Sequence, residues 1–453
     1  GHKRNEALLG IELPYDLDIT EIDGFDDLHH ADGILKEEQE RAARVFGAEE
    51  SHFLVNGSTA GILSAVMGCT HRGDKILVAR HCHKSIYHAI YMNGLVPRYV
   101  YPEFDISMHM NGEISKEDVA KALAAEPDIK AVVIVSPNYD GVVSDVKGIA
   151  EVAHSYKIPL IVDEAHGPHF GFHPAFPERA NDLGADVVIN SLHKTLPSLT
   201  QTAILHINGK FVNRRRIKKY LDMLQSSSPS YIFMASLDAC VDFVDGKCEN
   251  AFELYVERLQ KFREELEPLQ HLQILRTEHY DISKVVISTA NANITSPELA
   301  DRLRKEYHLE MEMCGADYVT AIAAIGDSKK GLKRLKKALL EIDKELEKNG
   351  NICNDDPDEN VYSRHAKQVM PVFKAMDGEK EAVPLKESCG RICGEFAYIY
   401  PPGIPLLAPG EQITEEILET LQDYIKKDLP VQGLEDTDLV TIQVMALSGG
   451  RSV

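Results

Sequence analysis

The chain predicts an α/β fold built on a mostly parallel sheet, followed by a smaller α/β unit and a C-terminal α+β unit. Three observations carry that expectation. Short β-rich runs alternate with helical stretches from residue 51 to 206, two of those runs end abruptly in polar side chains, and an Asn-, Asp- and Gly-rich stretch at 347–360 sets off the chain beyond it.

The β-rich runs are 51–55, 75–79, 98–101, 131–135, 160–162, 186–189 and 202–206. Short Val-, Ile- and Leu-rich runs without alternation suit strands covered on both faces, and parallel strands need connections long enough for a helix. Residues 115–125 and 146–156 read as covering helices, the first with Ser115 as N-cap and the second through its apolar spacing. A long amphipathic helix over 251–266 leaves the large unit, stopped by Pro268. Between 272 and 346, the runs 284–288 and 317–324 each precede a helix, which is enough for a small unit. Past the linker, 361–376 and 413–427 read as largely helical around a Pro-rich run. The expected division is an N-terminal segment 1–30, a large unit 31–270, a small unit 271–346 and a C-terminal unit 361–453. No internal repeat is visible.

Chemistry concentrates in two inner runs. Pro159-Leu-Ile-Val-Asp-Glu-Ala-His-Gly167 puts Asp163 at the carboxyl end of a buried strand, and Ser191-Leu-His-Lys-Thr-Leu-Pro-Ser-Leu-Thr-Gln-Thr-Ala203 puts Lys194 where a strand gives way to a loop. As parallel strands, the two runs carry both residues to one rim of the sheet, where open α/β sheets bind ligands. A lysine desolvated there has its pKa lowered and its amine freed to form a Schiff base. Such an amine beside a carboxylate suits pyridoxal phosphate, whose aldehyde needs the one and whose ring nitrogen needs the other. Donors for the phosphate are at hand. Ser191 and His193 flank the lysine, and Asn56-Gly-Ser-Thr-Ala-Gly61 precedes a helix start with the hydroxyls of Ser58 and Thr59.

Composition bounds the partners. At 453 residues the chain should hold more than one domain, and no stretch approaches the roughly 20 consecutive apolar residues of a membrane span. A net charge of −22 argues against nucleic acid and favours the approach of cations. Eight cysteines without regular spacing read as reduced thiols. Neither Cys389 with Cys393 nor His81-Cys-His83 matches a zinc pattern, so no metal is expected. The basic 329–337 cluster has the periodicity of a solvated helix face. With a polar, mixed stretch at 1–10, a cytoplasmic enzyme without a signal peptide is the simplest expectation.

Several motifs together resemble the fold-type I pyridoxal-phosphate decarboxylases that act on ornithine, lysine and arginine. They are Thr20-Glu-Ile-Asp-Gly-Phe-Asp-Asp-Leu28, Phe53-Leu-Val-Asn-Gly-Ser-Thr-Ala-Gly61, His81-Cys-His-Lys-Ser85, Ser136-Pro-Asn-Tyr-Asp-Gly141, Val162-Asp-Glu-Ala-His-Gly167, the lysine run, and Gln225-Ser-Ser-Ser-Pro-Ser-Tyr231. Tyr400-Pro-Pro-Gly-Ile-Pro-Leu-Leu-Ala-Pro-Gly-Glu411 resembles the signature of that family's C-terminal domain. The resemblance implies that Lys194 forms the Schiff base, Asp163 pairs with the pyridinium nitrogen, His83 stacks on one ring face and Ala165 packs on the other. It implies phosphate-side roles for Ser58, Thr59, Ser191 and His193. Ser227 matches a hydroxyl that reaches the neighbouring subunit's phosphate, which implies a homodimer with active sites at the interface, or a higher oligomer.

Departures from the family pattern are Ser58-Thr59 where some relatives have threonine first, Ser227 where threonine is common, and Asn138 where many have a threonine near the cofactor's phenolic oxygen. The chain also opens at Gly1-His-Lys-Arg4, where relatives have a preceding stretch. The implied reaction is decarboxylation of a basic amino acid. Arginine comes first, because the chain resembles the shorter biosynthetic members that make agmatine for polyamine synthesis; lysine and ornithine follow. Lys194, His193 and His166 are the candidate proton donors, and Glu395, Asp23 and Asp26 are candidate partners for the distal cation. The same fold also hosts aminotransferases and other lyases, and a non-catalytic protein on this fold is a further alternative.

Overall fold

The β-rich runs become one sheet. The computed structural model describes residues 14–105, 110–275, 279–347, 366–400 and 403–447. In chain order its first part contains α1 (Ile34–Val45), β1 (Glu50–Leu54), α2 (Gly57–Cys69), β2 (Lys75–Ala79), α3 (Lys84–Met92) and β3 (Val96–Val100). A small hairpin follows, β4 (Phe104–Asp105) and β5 (Met110–Asn111), then α4 (Lys116–Ala125), β6 (Val132–Val135), α5 (Val146–Ser155) and β7 (Leu160–Asp163). The large unit closes with β8 (Val187–Asn190), α6 (Leu192–Thr195), β9 (Ala203–Ile207), α7 (Arg214–Leu224), α8 (Tyr231–Val244) and α9 (Glu249–Glu264).

The strand order is β1-β9-β8-β7-β6-β2-β3. Strands β3, β2, β6, β7 and β8 run parallel, and β9 is antiparallel to both β8 and β1. Every residue of β6, β7 and β8 is buried, as near-continuous apolar strands require. Ile62, Ile86, Val119 and Ile149 from α2 to α5 share one core with the sheet strands, and Leu35, Leu237, Phe252 and Leu259 from α1, α8 and α9 form a second core with Phe53 of β1 and Ile204 of β9. Ser115 caps α4 by accepting from Asp118 N, and Asp145 caps α5 by accepting from Gly148 N.

The second sheet is antiparallel throughout. It contains β10 (Gln273–Ile274), β11 (Lys284–Ser288), β12 (Met313–Cys314) and β13 (Tyr318–Ile322) in the order β10-β11-β13-β12. Helices α10 (Ser296–Tyr307) and α11 (Lys329–Asp343) cover it through Leu299, Leu303, Leu335 and Leu339.

The helix expected over 361–376 is a correction. Its first five residues lie outside the described ones, and the helix that forms, α12, spans Val372–Asp377. Pro371 is its N-cap, and proline both lacks an N–H to continue a helix and biases the preceding residue away from helical backbone. The linker beyond Glu347, the Gly1-His-Lys-Arg4 opening and Pro401-Pro402 also lie outside the described residues.

The C-terminal unit adds β14 (Lys380–Pro384), β15 (Ala397–Ile399), β16 (Ile404–Leu407), α13 (Glu415–Lys426), β17 (Val431–Gln432) and β18 (Thr441–Met445). It docks on the large unit through a buried pair, with Arg80 Nη2 3.0 Å from Glu411 Oε2. No helix among the described residues is long and apolar enough to cross a membrane.

Candidate active site

Parallel pairing aims the ends of β2, β6, β7 and β8 at one rim, and β1, antiparallel to β9 as β8 is, ends at the same rim. Asp163 ends β7 in register with Val135 and Ile189, and β8 passes through Ser191 into α6, the short helix that carries Lys194. The Lys194 Nζ lies 2.6 Å from His166 Nε2 and 5.7 Å from the centre of the Tyr139 ring. Burial pushes its amine down to about 8; Asp163 and Glu312 oppose the shift and Lys284 adds to it. Near neutral pH such an amine holds far more of its free-base form than an exposed lysine does.

Asp163 is buried, and its Oδ1 accepts from Ala165 N at 3.1 Å. Burial pushes its carboxyl up while Lys194 pulls it down. The neighbouring Glu164 turns elsewhere. It accepts from Ala180 N at 2.8 Å and Asn190 Nδ2 at 3.0 Å, which pins the loop so that Ala165 and His166 follow Asp163 at the rim. His166 is buried with its ring edge-on to Tyr139 at 4.7 Å, and its Nδ1 has no partner. Burial, then Lys194 and Lys284, hold its imidazole neutral.

His83 caps α3 by accepting from Ser85 N, and burial with nearby Lys194 pushes its ring down to about 3. It is a neutral aromatic plate. His193 Nδ1 donates to Thr202 O at 2.9 Å, so the neutral ring turns its Nε2 outward as an acceptor. At the end of β1, Gly57 takes φ +72° to turn the chain into α2, whose N-cap Asn56 makes no side-chain cap. Gly57 N donates to Gln201 O at 3.0 Å, and the N–H donors that follow it in the first turn are left for an anion, beside the hydrogen-bonded hydroxyls of Ser58 and Ser191 and the half-buried Thr59.

These groups fit pyridoxal phosphate. A lowered amine, a buried carboxyl, a flat neutral imidazole, an uncapped helix N-terminus with hydroxyls and an orphaned His166 Nδ1 are the donor set that a planar pyridine aldehyde bearing a phosphate needs. A cavity of about 210 Å³ opens nearby, where the three units meet. Two of its lining residues, Asp140 and Met313, directly follow Tyr139 and Glu312 in the chain.

Other expectations land elsewhere. Glu395 is a correction: its carboxylate accepts from Gln443 N and Glu435 N at 2.7 Å each and is spent on joining strands of the C-terminal unit. Asp26 is a second correction, since it accepts from Asp27, Asp32, Gly33 and Leu35 N–H groups and so organises the start of α1. Asp23 is exposed. Asn138 lies at the rim, but its Oδ1 accepts from Asp140 N and Val142 N and its Nδ2 donates to Asn111 O, so it shapes the loop after β6. Ser226 N donates to Asn56 Oδ1, which sets Ser227 beside the start of α2, exposed on a depression shared with His29 and Asp222. Among the described residues no group of His, Cys, Asp or Glu is placed to hold a metal ion.

Sequence reasoning missed Glu312, Tyr139, Asp281 and Lys284. Glu312 acts electrostatically on Lys194, His193 and Tyr139 from just before β12, in a segment with no local signature. Tyr139 stands in the 136–141 motif just past the end of β6, where an aromatic at a strand end is the signal.

The sheet and its rim define a fold-type I pyridoxal-phosphate enzyme. Family models match twice: the Orn/Lys/Arg decarboxylase major domain over residues 12–294 and its C-terminal domain over 355–430. An arginine decarboxylase of Bacillus subtilis is 35% identical across 98% of this chain and 93% of its own, and one of Halalkalibacterium halodurans is 36% identical across 95% and 89%. Lysine decarboxylase A of Pseudomonas aeruginosa shares the fold at a TM-score of 0.81 over 98% of this chain and 78% of its own, with 22% identity. The chain therefore belongs to the Orn/Lys/Arg decarboxylase family and is a pyridoxal-phosphate-dependent carboxy-lyase.

Proposed function

We propose that the protein decarboxylates arginine to agmatine and CO2, feeding polyamine synthesis. The observation that carries the chemistry is the Lys194 amine, lowered to about 8 and bonded to neutral His166 on the same rim as buried Asp163. The choice of arginine rests on the similarity to arginine decarboxylases over nearly the whole chain.

Bound pyridoxal phosphate supplies the electron sink for the pair released when the Cα–carboxylate bond breaks. Lys194 would hold the cofactor through its amine. Asp163 would hold a proton at the ring nitrogen, which would keep the sink electron-poor. His83 and Ala165 would wall the ring, and the α2 N-terminus with Ser58, Thr59 and Ser191 would hold the phosphate. Of the three candidate proton donors, Lys194 and His166 are paired at 2.6 Å, whereas His193 is tied to Thr202 O; the Lys194–His166 pair is therefore the one assigned to return a proton to Cα. With Glu395 and Asp26 committed to backbone donors, Glu312 is the acid assigned to the guanidinium.

The working unit is a homodimer with Ser227, exposed at the α2 depression, serving the partner's phosphate site. A cytoplasmic setting agrees with the unpaired cysteines among the described residues. The test offers arginine, lysine and ornithine separately to cofactor-loaded protein and measures amine and CO2. Dominant agmatine is the expected result, cadaverine or putrescine would move the substrate, and bound cofactor with no CO2 from any of the three would overturn the reaction.

A further inference from the structure

A charged cluster in contact with the rim's own loops sits directly behind it. Asp281, Lys284 and His169 are each wholly buried. Lys284 opens β11 in the small unit, and its Nζ lies 3.0 Å from Asp281 Oδ2 and donates to His166 O at 3.2 Å. Asp281 Oδ1 accepts from His169 Nε2 at 3.1 Å, and His169 Nδ1 meets Thr195 Oγ1 at 2.9 Å. Thr195 is the residue after Lys194. With Nε2–H given to Asp281, the neutral ring accepts the Thr195 hydroxyl proton at Nδ1.

A third tie reaches the Tyr139 loop. Asp281 N donates to Gly141 O at 2.8 Å, and Gly141 takes φ +100° with Lys284 packed so close that a Cβ there would meet its Cγ at 2.8 Å. One small-unit segment thus grips the loops carrying Tyr139 and His166 and the helix carrying Lys194.

The pair is also oriented. Burial alone would push the Asp281 carboxyl up, but Lys284 and His169 hold it far below the usual carboxylate range, so it stays an anion. Lys284 is the end that faces the rim: it acts on both Lys194 and His166, whereas Asp281 lies behind it toward His169. The other groups acting on Lys194 are Asp163 from β7 and Glu312 from before β12; His83, His193 and Lys194 join Lys284 in acting on His166. Asp163 and Glu312 favour the charged amine, and Lys284 opposes them.

We propose that Lys284 and Asp281 are positioning residues for the reaction: from the small unit the pair holds the Lys194 helix and the His166 loop in register, and its cation sets the field in which the Lys194 amine works. The proposal rests on the function given above, and a buried ion pair makes its demand specific. Replacing both members leaves no stranded charge, whereas replacing one does.

The test uses the full-length, cofactor-loaded protein and the double variant Lys284→Met/Asp281→Asn. The midpoint at which the visible cofactor band titrates should move up by about one pH unit, the scale on which one buried charge moves another. The kcat for arginine should fall about tenfold or more while KM stays nearly unchanged, as for a displaced reacting group. Acetylation of Lys194 in the cofactor-free chain, read by peptide mass across pH, should move the same way. A folded double variant with both midpoints in place overturns the proposal. Thr195→Val cuts the His169 contact without touching a charge; it should lower kcat and leave the midpoint alone, and an unchanged kcat there also overturns it. Failure of the wild-type protein to take up cofactor would instead overturn the proposed function.

Discussion

Glu411→Leu should loosen the C-terminal unit more than the size of one side chain suggests. Arg80 Nη2 lies 3.0 Å from Glu411 Oε2, and the two side chains are 9% and 0% exposed. Arg80 Nη1 also donates to Pro405 O at 2.6 Å and Tyr87 Oη at 2.8 Å, while Glu411 Oε2 accepts from Ala408 N at 2.8 Å. Leucine at 411 therefore leaves a guanidinium buried with no counter-charge, which costs about 3–5 kcal/mol. Arg80→Met strands the carboxylate and costs a similar amount. The double variant should cost less than the two costs combined by about 2–3 kcal/mol, because the second change removes a charge the first had stranded. Urea unfolding followed by tyrosine fluorescence measures this, since the chain has 17 tyrosines and no tryptophan. Arg80 opens the loop that presents His83, so each single variant should also hold the cofactor less tightly. Costs additive within about 0.5 kcal/mol would refute the reasoning.

Lys194→Ala should abolish decarboxylation and leave the circular dichroism and melting curve close to wild type, since the side chain lines the site; appreciable turnover would remove the assignment. Glu312→Gln should raise the KM for arginine about five- to tenfold with a smaller effect on kcat, the scale of a charged hydrogen bond lost at a partly wet rim, and steady-state kinetics decide it. Burial pushes the Asp140 carboxyl up to about 7, against hydrogen bonds from Tyr318 and Thr320 that lower it. A carboxyl raised in the folded state keeps its proton while the unfolded chain releases one, so its contribution falls as pH rises from about 4 to about 7 and is level above that. Asp140→Asn should flatten this part of the stability–pH curve, measured by urea unfolding from pH 4 to 8.

The strands of the main sheet were legible because each is a short apolar run whose period and boundaries are local properties. Asp163 and Lys194 were legible for the same reason: each stands where such a run stops, and a parallel sheet has one rim. What lay beyond reach was the fate of individual charges. Glu395 and Asp26 look as available in the sequence as Glu312, yet their oxygens are filled by backbone N–H groups of segments brought in by folding. Lys284 and Asp281 sit in an unremarked turn before a strand, far along the chain from Lys194, and act on the site because the small sheet docks behind the rim. Hydrophobic pattern and strand-end chemistry thus determined the fold class from the sequence by itself, and placed Lys194 and Asp163 on one rim as the proposed amine and carboxylate. Which acid is free, which cation is buried and what those charges do to the amine were decided by the tertiary structure, because desolvation and Coulomb energy depend on distance in space rather than on position in the chain.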